Sequence, residues 1–195
     1  MINKDLDKRV FIAINFSNEV RLYLSNMQQK LKAVCKSGNF SHPDNLHLTL
    51  RFIGSTGTDG IEKLKAAIDE AARNSRIFEM SLSGLGQFAS RDKHIIWAGI
   101  RYSRKLEELY NNLQAALEKA GYPKETRKFT PHITLAREVI PESSLSETLD
   151  AANVSDEIRM VVDRIYLMES TRVNGKLKYI TLYSKHLLMH KTVST

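Results

Sequence analysis

The pattern His-x-Thr-Leu occurs twice in this chain, at His47–Leu50 and at His132–Leu135, 85 residues apart. Each copy lies in a run that alternates apolar and polar residues. Leu46, Leu48, Leu50 and Phe52 interleave with His47, Thr49 and Arg51, and Ile133 and Leu135 interleave with His132 and Thr134. On a strand, side chains at i and i+2 point to one face. Both runs therefore predict a half-buried strand with one apolar face. The other face carries His47 and Thr49 with Asn45 and Arg51 in the first copy, and Thr130, His132 and Thr134 in the second. An ordinary solvent face would more often carry Lys, Glu or Ser. A chain with two such strands is expected to fold as two similar units that present those faces to a common space.

The remaining elements repeat around the two copies. Arg9–Phe16 reads as a strand, and Ser17 can cap a helix with Val20, Leu24, Met27, Leu31 and Val34 on one face. After the first motif come a short helix (Ile61, Leu64, Ile68, Ala71) and two strands, 77–88 and 93–102. Ser103 opens a second helix with Leu106, Leu109, Leu113 and Leu117 on one face, stopped by Gly121 and Pro123. The second motif is followed by a helix over 142–152 and by strands 160–169 and 177–187, joined across Asn174-Gly175, a hairpin signal. Helix, short strand, short helix and two strands thus occur twice. The expected fold is α+β: two pseudo-symmetric lobes, about 18–102 and 103–187, with strand 9–16 completing the sheets. Each lobe is a mostly antiparallel sheet with helices on its outer face, and a central cleft holds the two His-x-Thr strands. No Pro/Gly/Ser-rich linker divides the 195 residues, so one domain over 1–195 is expected.

Composition narrows the function. With 42% hydrophobic and 26% charged residues, the chain is neither disordered nor fibrous. No apolar run approaches the roughly 18 residues of a membrane helix, and the opening residues lack the apolar core of a secretory signal. Cys35 is the only cysteine, which excludes an internal disulfide and a four-cysteine zinc site and fits the reducing cytoplasm. The net charge is +7 with a pI near 9.5. The excess gathers at 171–195, which holds Arg172, Lys176, Lys178, Lys185 and Lys191 and no acid. A basic surface favours nucleic acid or phosphorylated ligands.

Two histidines facing one cleft suit the opening of a phosphodiester. An imidazole has an ordinary pKa near about 6.5, so one ring can serve as a neutral base and the other as a protonated acid at the same pH. The threonine hydroxyls can donate to non-bridging phosphate oxygens. No metal or cofactor is required, and no acid or cysteine cluster accompanies either motif. Phe129 could stack on a terminal base and Arg127 could pair with phosphate, both on the chain entering the second strand. Arg51, on the histidine face, and Arg137, on the nominally apolar side, are weaker phosphate candidates. His42 reads as a loop residue, His94 as structural, and His186 and His190 as lacking ligand spacing. Cys35 reads as a packed residue late in the first helix.

The segments Asn45-Leu-His47-Leu-Thr49-Leu-Arg-Phe-Ile-Gly54 and Arg127-Lys-Phe129-Thr-Pro-His132-Ile-Thr134-Leu-Ala-Arg137 resemble the two signature motifs of the 2H phosphoesterase superfamily. More closely, they resemble its RNA 2′,3′-cyclic phosphodiesterases, once named 2′-5′ RNA ligases. The resemblance spans nearly the whole chain. It implies that His47 is the proton donor to the leaving oxygen, that His132 is the acceptor that activates water, and that Thr49 and Thr134 bind phosphate. It also implies hydrolysis of an RNA-terminal 2′,3′-cyclic phosphate to a 2′-phosphate, with weak 2′-5′ ligation as a related activity. The expected partners are RNA 3′ ends or nucleotide cyclic phosphates, with no membrane and no obligate protein partner. Two other readings fit the same residues: a phosphodiesterase for small nucleotides such as ADP-ribose cyclic phosphate or 2′-5′ oligoadenylate, and a non-catalytic RNA-binding module.

Overall fold

Two helices open on the serine caps that the sequence marks, Ser17 and Ser103. The computed structural model describes residues 7–90, 93–153 and 158–189. Ser17 accepts the Val20 N–H at the start of α1 (Asn18–Ala33), and Ser103 accepts the Leu106 N–H at the start of α3 (Arg104–Lys119). Each cap satisfies a donor that the first helical turn cannot pair. The other helices are α2 (Thr58–Arg73) and α4 (Leu145–Ala152), the latter closed by a reciprocal Ser144–Glu147 capping box. The strands are β1 (Lys8–Asn15), β2 (Cys35–Phe40), β3 (His47–Thr56), β4 (Phe78–Ser90), β5 (Lys93–Ile100), β6 (His132–Pro141), β7 (Arg159–Val162), β8 (Arg164–Val173) and β9 (Lys176–His186).

The strands form two antiparallel sheets, one of order β3-β1-β8-β9 and one of order β2-β6-β5-β4-β7. The α+β class and the two-sheet arrangement follow the expectation. The two sequence halves, however, are interleaved. Lys8 and Lys93, which open β1 and β5, are also 85 residues apart, so the repeat starts at those strands. Each half then lends its late strand to the other half's sheet: β8 pairs with β1, and β4 pairs with β5. A division at 102/103 therefore cuts across both sheets. One continuous apolar core joins the helix-facing sides of both sheets, from Ile12, Leu48 and Leu167 to Ala98, Ile133 and Leu135.

Four local expectations change. The strand expected over 160–169 is two strands broken at Asp163, with β7 joining one sheet and β8 the other. β2 has no alternating apolar signal (Cys-Lys-Ser-Gly-Asn-Phe) and exists because it pairs with β6 at a sheet edge. Cys35 consequently opens this strand rather than ending a helix, and burial raises its thiol pKa. α2, expected to be short, runs for 16 residues with Leu64, Ala67, Ile68 and Ala71 buried.

The fourth change is a paired irregularity in the motif strands. Opposite β1, Thr49 aligns with Ala13 and Arg51 with Ile12, so Leu50 is an extra residue in β3. Opposite β5, Thr134 aligns with Trp97 and Ala136 with Ile96, so Leu135 is an extra residue in β6. These equivalent β-bulges shift the alternation by one. Leu50 and Arg51 are both buried, as are Leu135 and Ala136, and the faces of Phe52 and Arg137 are inverted. The carbonyls around the second bulge are satisfied from outside the sheet. Gln28 Nε2 and the Ser41 N–H both donate to Leu135 O, and Ser41 Oγ donates to Thr134 O.

Candidate active site

The cleft between the sheets has a volume of about 1010 Å³. The first sheet supplies Phe11 from β1, His47, Thr49 and Phe52 from β3, and Tyr179 from β9. The second supplies His132, Thr134 and Arg137 from β6. The two histidines and two threonines singled out by the sequence thus meet at one site. The motif strands β3 and β6 touch each other across the join.

Both imidazoles are held in the same way. His47 Nδ1 lies 2.7 Å from Asn45 O, and His132 Nδ1 lies 2.7 Å from Thr130 O. A carbonyl only accepts, so each Nδ1 carries the proton and each Nε2 is the free chemical end. Each backbone oxygen belongs to the segment that leads directly into its strand, Asn45 closing a 3-10 turn before β3 and Thr130 preceding β6, so it fixes tautomer and ring plane together. His47 Nε2 also lies 3.0 Å from Thr49 Oγ1. The holder is anchored in turn: Asn45 Nδ2 donates to Leu177 O on β9.

The walls differ. His47 lies against Phe11, with ring centroids 4.7 Å apart, and takes the edge of Tyr179 at 5.0 Å. Its burial there lowers its pKa, and the nearby charges of Arg137 and His132 push the same way against the Asn45 hydrogen bond. His132 meets Phe88 edge-on at 5.0 Å and Trp97 at 6.1 Å. Trp97 reaches that position because its cross-strand partner is Gly86, where any Cβ would fall 2.2 Å from the indole.

Two expected substrate residues lie elsewhere. The Arg127 side chain is 86% exposed and turned onto Glu125, outside the cleft lining. Phe129 stacks on Tyr110 of α3 at 3.9 Å and 8°, packed against the core. Arg51 leaves the histidine face because of the Leu50 bulge. It is buried, donates to Gln114 Oε1 and Pro123 O, and pairs with Glu125 at 3.5 Å. Arg137 gains what Arg51 loses, since the Leu135 bulge turns it into the cleft. Strict alternation misassigned both arginines. The only sequence hint of the bulges is the matched spacing of Arg51 and Phe52 with Ala136 and Arg137, which alternation alone cannot interpret.

The remaining histidines resolve plainly. His42 accepts the Asp44 N–H in the turn before β3 and borders the cleft. His94 pairs with Gln87, and His186 lies near Asp163 and Arg164. His190 and Lys191 lie outside the described residues. Among the described residues, no three His, Cys, Asp or Glu side chains gather as a metal site. No described helix is long and apolar enough to cross a membrane.

Residues 23–174 match the family model of the 2′-5′ RNA ligase superfamily. The chain belongs to that superfamily. It is 29% identical over 179 residues to the RNA 2′,3′-cyclic phosphodiesterase of Thermotoga maritima, covering 90% of this chain and 93% of the relative. It is also 29% identical over 177 residues to the enzyme of that name from Escherichia coli, covering 90% and 94%. Among solved structures, Escherichia coli LigT complexed with 3′-AMP superposes with a TM-score of 0.76 at 25% identity, over 93% of this chain and 98% of that one. TT0787 of Thermus thermophilus superposes with a TM-score of 0.76 at 26% identity, over 92% and 97%.

Proposed function

We propose that this member of the superfamily opens the 2′,3′-cyclic phosphate at an RNA 3′ end to a 2′-phosphate, with His132 as base and His47 as acid. Its enzyme class is RNA 2′,3′-cyclic phosphodiesterase. One observation carries the reading: two imidazoles, each pinned through Nδ1 to the carbonyl two residues upstream, present Nε2 to one cleft.

The step balances without a further reagent. Water loses a proton to His132 Nε2 as its oxygen bonds to phosphorus. The P–O3′ bond breaks, and the departing O3′ takes a proton from His47 Nε2. Thr49 and Thr134 donate to the non-bridging oxygens, and Arg137 balances the charge that builds there. A sugar 5′-hydroxyl in the place of water gives a 2′-5′ phosphodiester by the same step, so weak ligation is the expected companion activity. The substrate is an RNA end rather than a base sequence. The lone Cys35 supports action in a reducing compartment such as the cytoplasm.

The test is an RNA oligomer ending in 2′,3′-cyclic phosphate, incubated with excess EDTA. A product ending in 2′-phosphate at an unchanged rate is expected. Loss of activity that a divalent ion restores would move the chemistry to a metal-bound water. No turnover, with binding of the strand retained, would leave a non-catalytic RNA module.

A further inference from the structure

We infer that the cleft holds a second nucleotide, joined to the terminal one by a phosphodiester that Arg9 and Lys178 receive, beside the exposed ring of Phe52. The inference rests on the functional reading above and specifies its substrate as a polynucleotide end of at least two residues.

The first support is size. At about 1010 Å³ the cleft reaches the top of the roughly 300–1,000 Å³ range that encloses a single small ligand. The second is charge. A terminal nucleoside cyclic phosphate brings a single negative charge, and Arg137 already stands beside the histidines to meet it. Arg9, Lys176 and Lys178 line the same cleft, and among the described residues Asp44 is the only acid that lines it. Asp44 is engaged by Arg21 and His42. Three further cations facing one cleft without a described carboxylate partner call for a second anionic group on the ligand.

The third support is position. Arg9 and Phe11 share the cleft face of β1, and the Phe11 ring touches that of His47. Two residues along a strand advance roughly 7 Å. Arg9 therefore stands one such step beyond the ring that borders the reacting phosphate. Successive phosphates of a nucleotide chain are separated by one sugar, a span of the same order. The Arg9 guanidinium also lies over the Phe52 ring, 5.0 Å from its centroid. Stacking fixes the plane of the guanidinium and leaves its N–H edge for phosphate oxygens. Phe52, 49% exposed because the bulge turns it out of the core, offers a stacking surface for a base.

The experiment compares two probes by calorimetry at low salt: adenosine 3′-phosphate, and the dinucleotide that carries the same 3′-phosphate. The wild-type protein is expected to bind the dinucleotide at least about tenfold more tightly, the worth of one charge-assisted phosphate contact. Arg9→Ala should remove most of that gap while weakening the mononucleotide by less than about threefold, and Arg9→Lys should keep part of it. Phe52→Leu supplies a second route to the same loss. Equal affinities in the wild type, or an Arg9→Ala change that weakens both probes alike, would overturn the inference. Turnover is read separately: a normal gap in a protein inactive on cyclic ends would overturn the reaction and leave the second nucleotide in place.

Discussion

The two motif strands share a backbone plan and differ in surroundings. β3 and β6 bulge at the same place, and each holds its histidine by the carbonyl two residues upstream. Yet His47 is enclosed by Phe11 and Tyr179 and bonded to Thr49, while His132 looks past the edges of Phe88 and Trp97. The residue that follows the bulge pair also differs, being Phe52 on one side and Arg137 on the other. Backbone geometry thus fixes where two equivalent nitrogens point, and the packing around His47 lowers its proton affinity. Burial discourages charge on His47. If His47 is the proton donor proposed above, an anionic phosphate beside the ring would favour its charged form.

The sharpest way to break this comparison is to remove each ring. His47→Ala and His132→Ala should each lower turnover of a cyclic-phosphate RNA end by about 10²–10⁴-fold, the usual worth of one positioned proton transfer. His47→Ala should lower the melting temperature more than His132→Ala, since the His47 ring packs closely on Phe11 and Tyr179 and also bonds to Thr49. Near-normal turnover in either folded variant would end the two-imidazole division of labour.

Arginine placement gives the next largest effect. Arg137→Ala should cost about 10–100-fold in kcat/KM, the loss of a charge-assisted contact to phosphate. Arg127→Ala, at an exposed residue turned onto Glu125, should change it by less than about threefold. Steady-state kinetics on one RNA end decide between them, and the reverse order would return Arg127 to the substrate.

The smallest effect tests the proton itself. Burial lowers the His47 pKa, and an anion beside the ring would oppose that shift, so binding is expected to take up a proton. Affinity for a non-hydrolysable cyclic phosphate analogue should therefore fall a few-fold as pH rises through about 6.5, because a phosphodiester does not itself titrate there. His47→Gln should flatten that slope. An unchanged slope in that variant would detach the linkage from His47.

The sequence by itself determined the local and the periodic. Serine caps, apolar stripes at helical spacing and the Asn174-Gly175 turn fix elements because each signal acts within a few residues. The repeated His-x-Thr strands fixed the α+β plan and the four residues at the centre of the site, since alternation decides which side chains leave the core. Tertiary structure decided the rest. An edge strand such as β2 and the exchange of β4 and β8 between sheets depend on partners far away in the chain. At the Leu135 bulge, groups distant in the chain, Gln28 and Ser41, satisfy the backbone that the extra residue disturbs. One extra residue inverts the side chains that follow it up to the next irregularity, sending Arg51 into the protein and Arg137 into the cleft. Phe129 and Arg127 have the chemistry of substrate contacts, but Tyr110 and Glu125 engage them, because a side chain's role is set by the neighbour it meets.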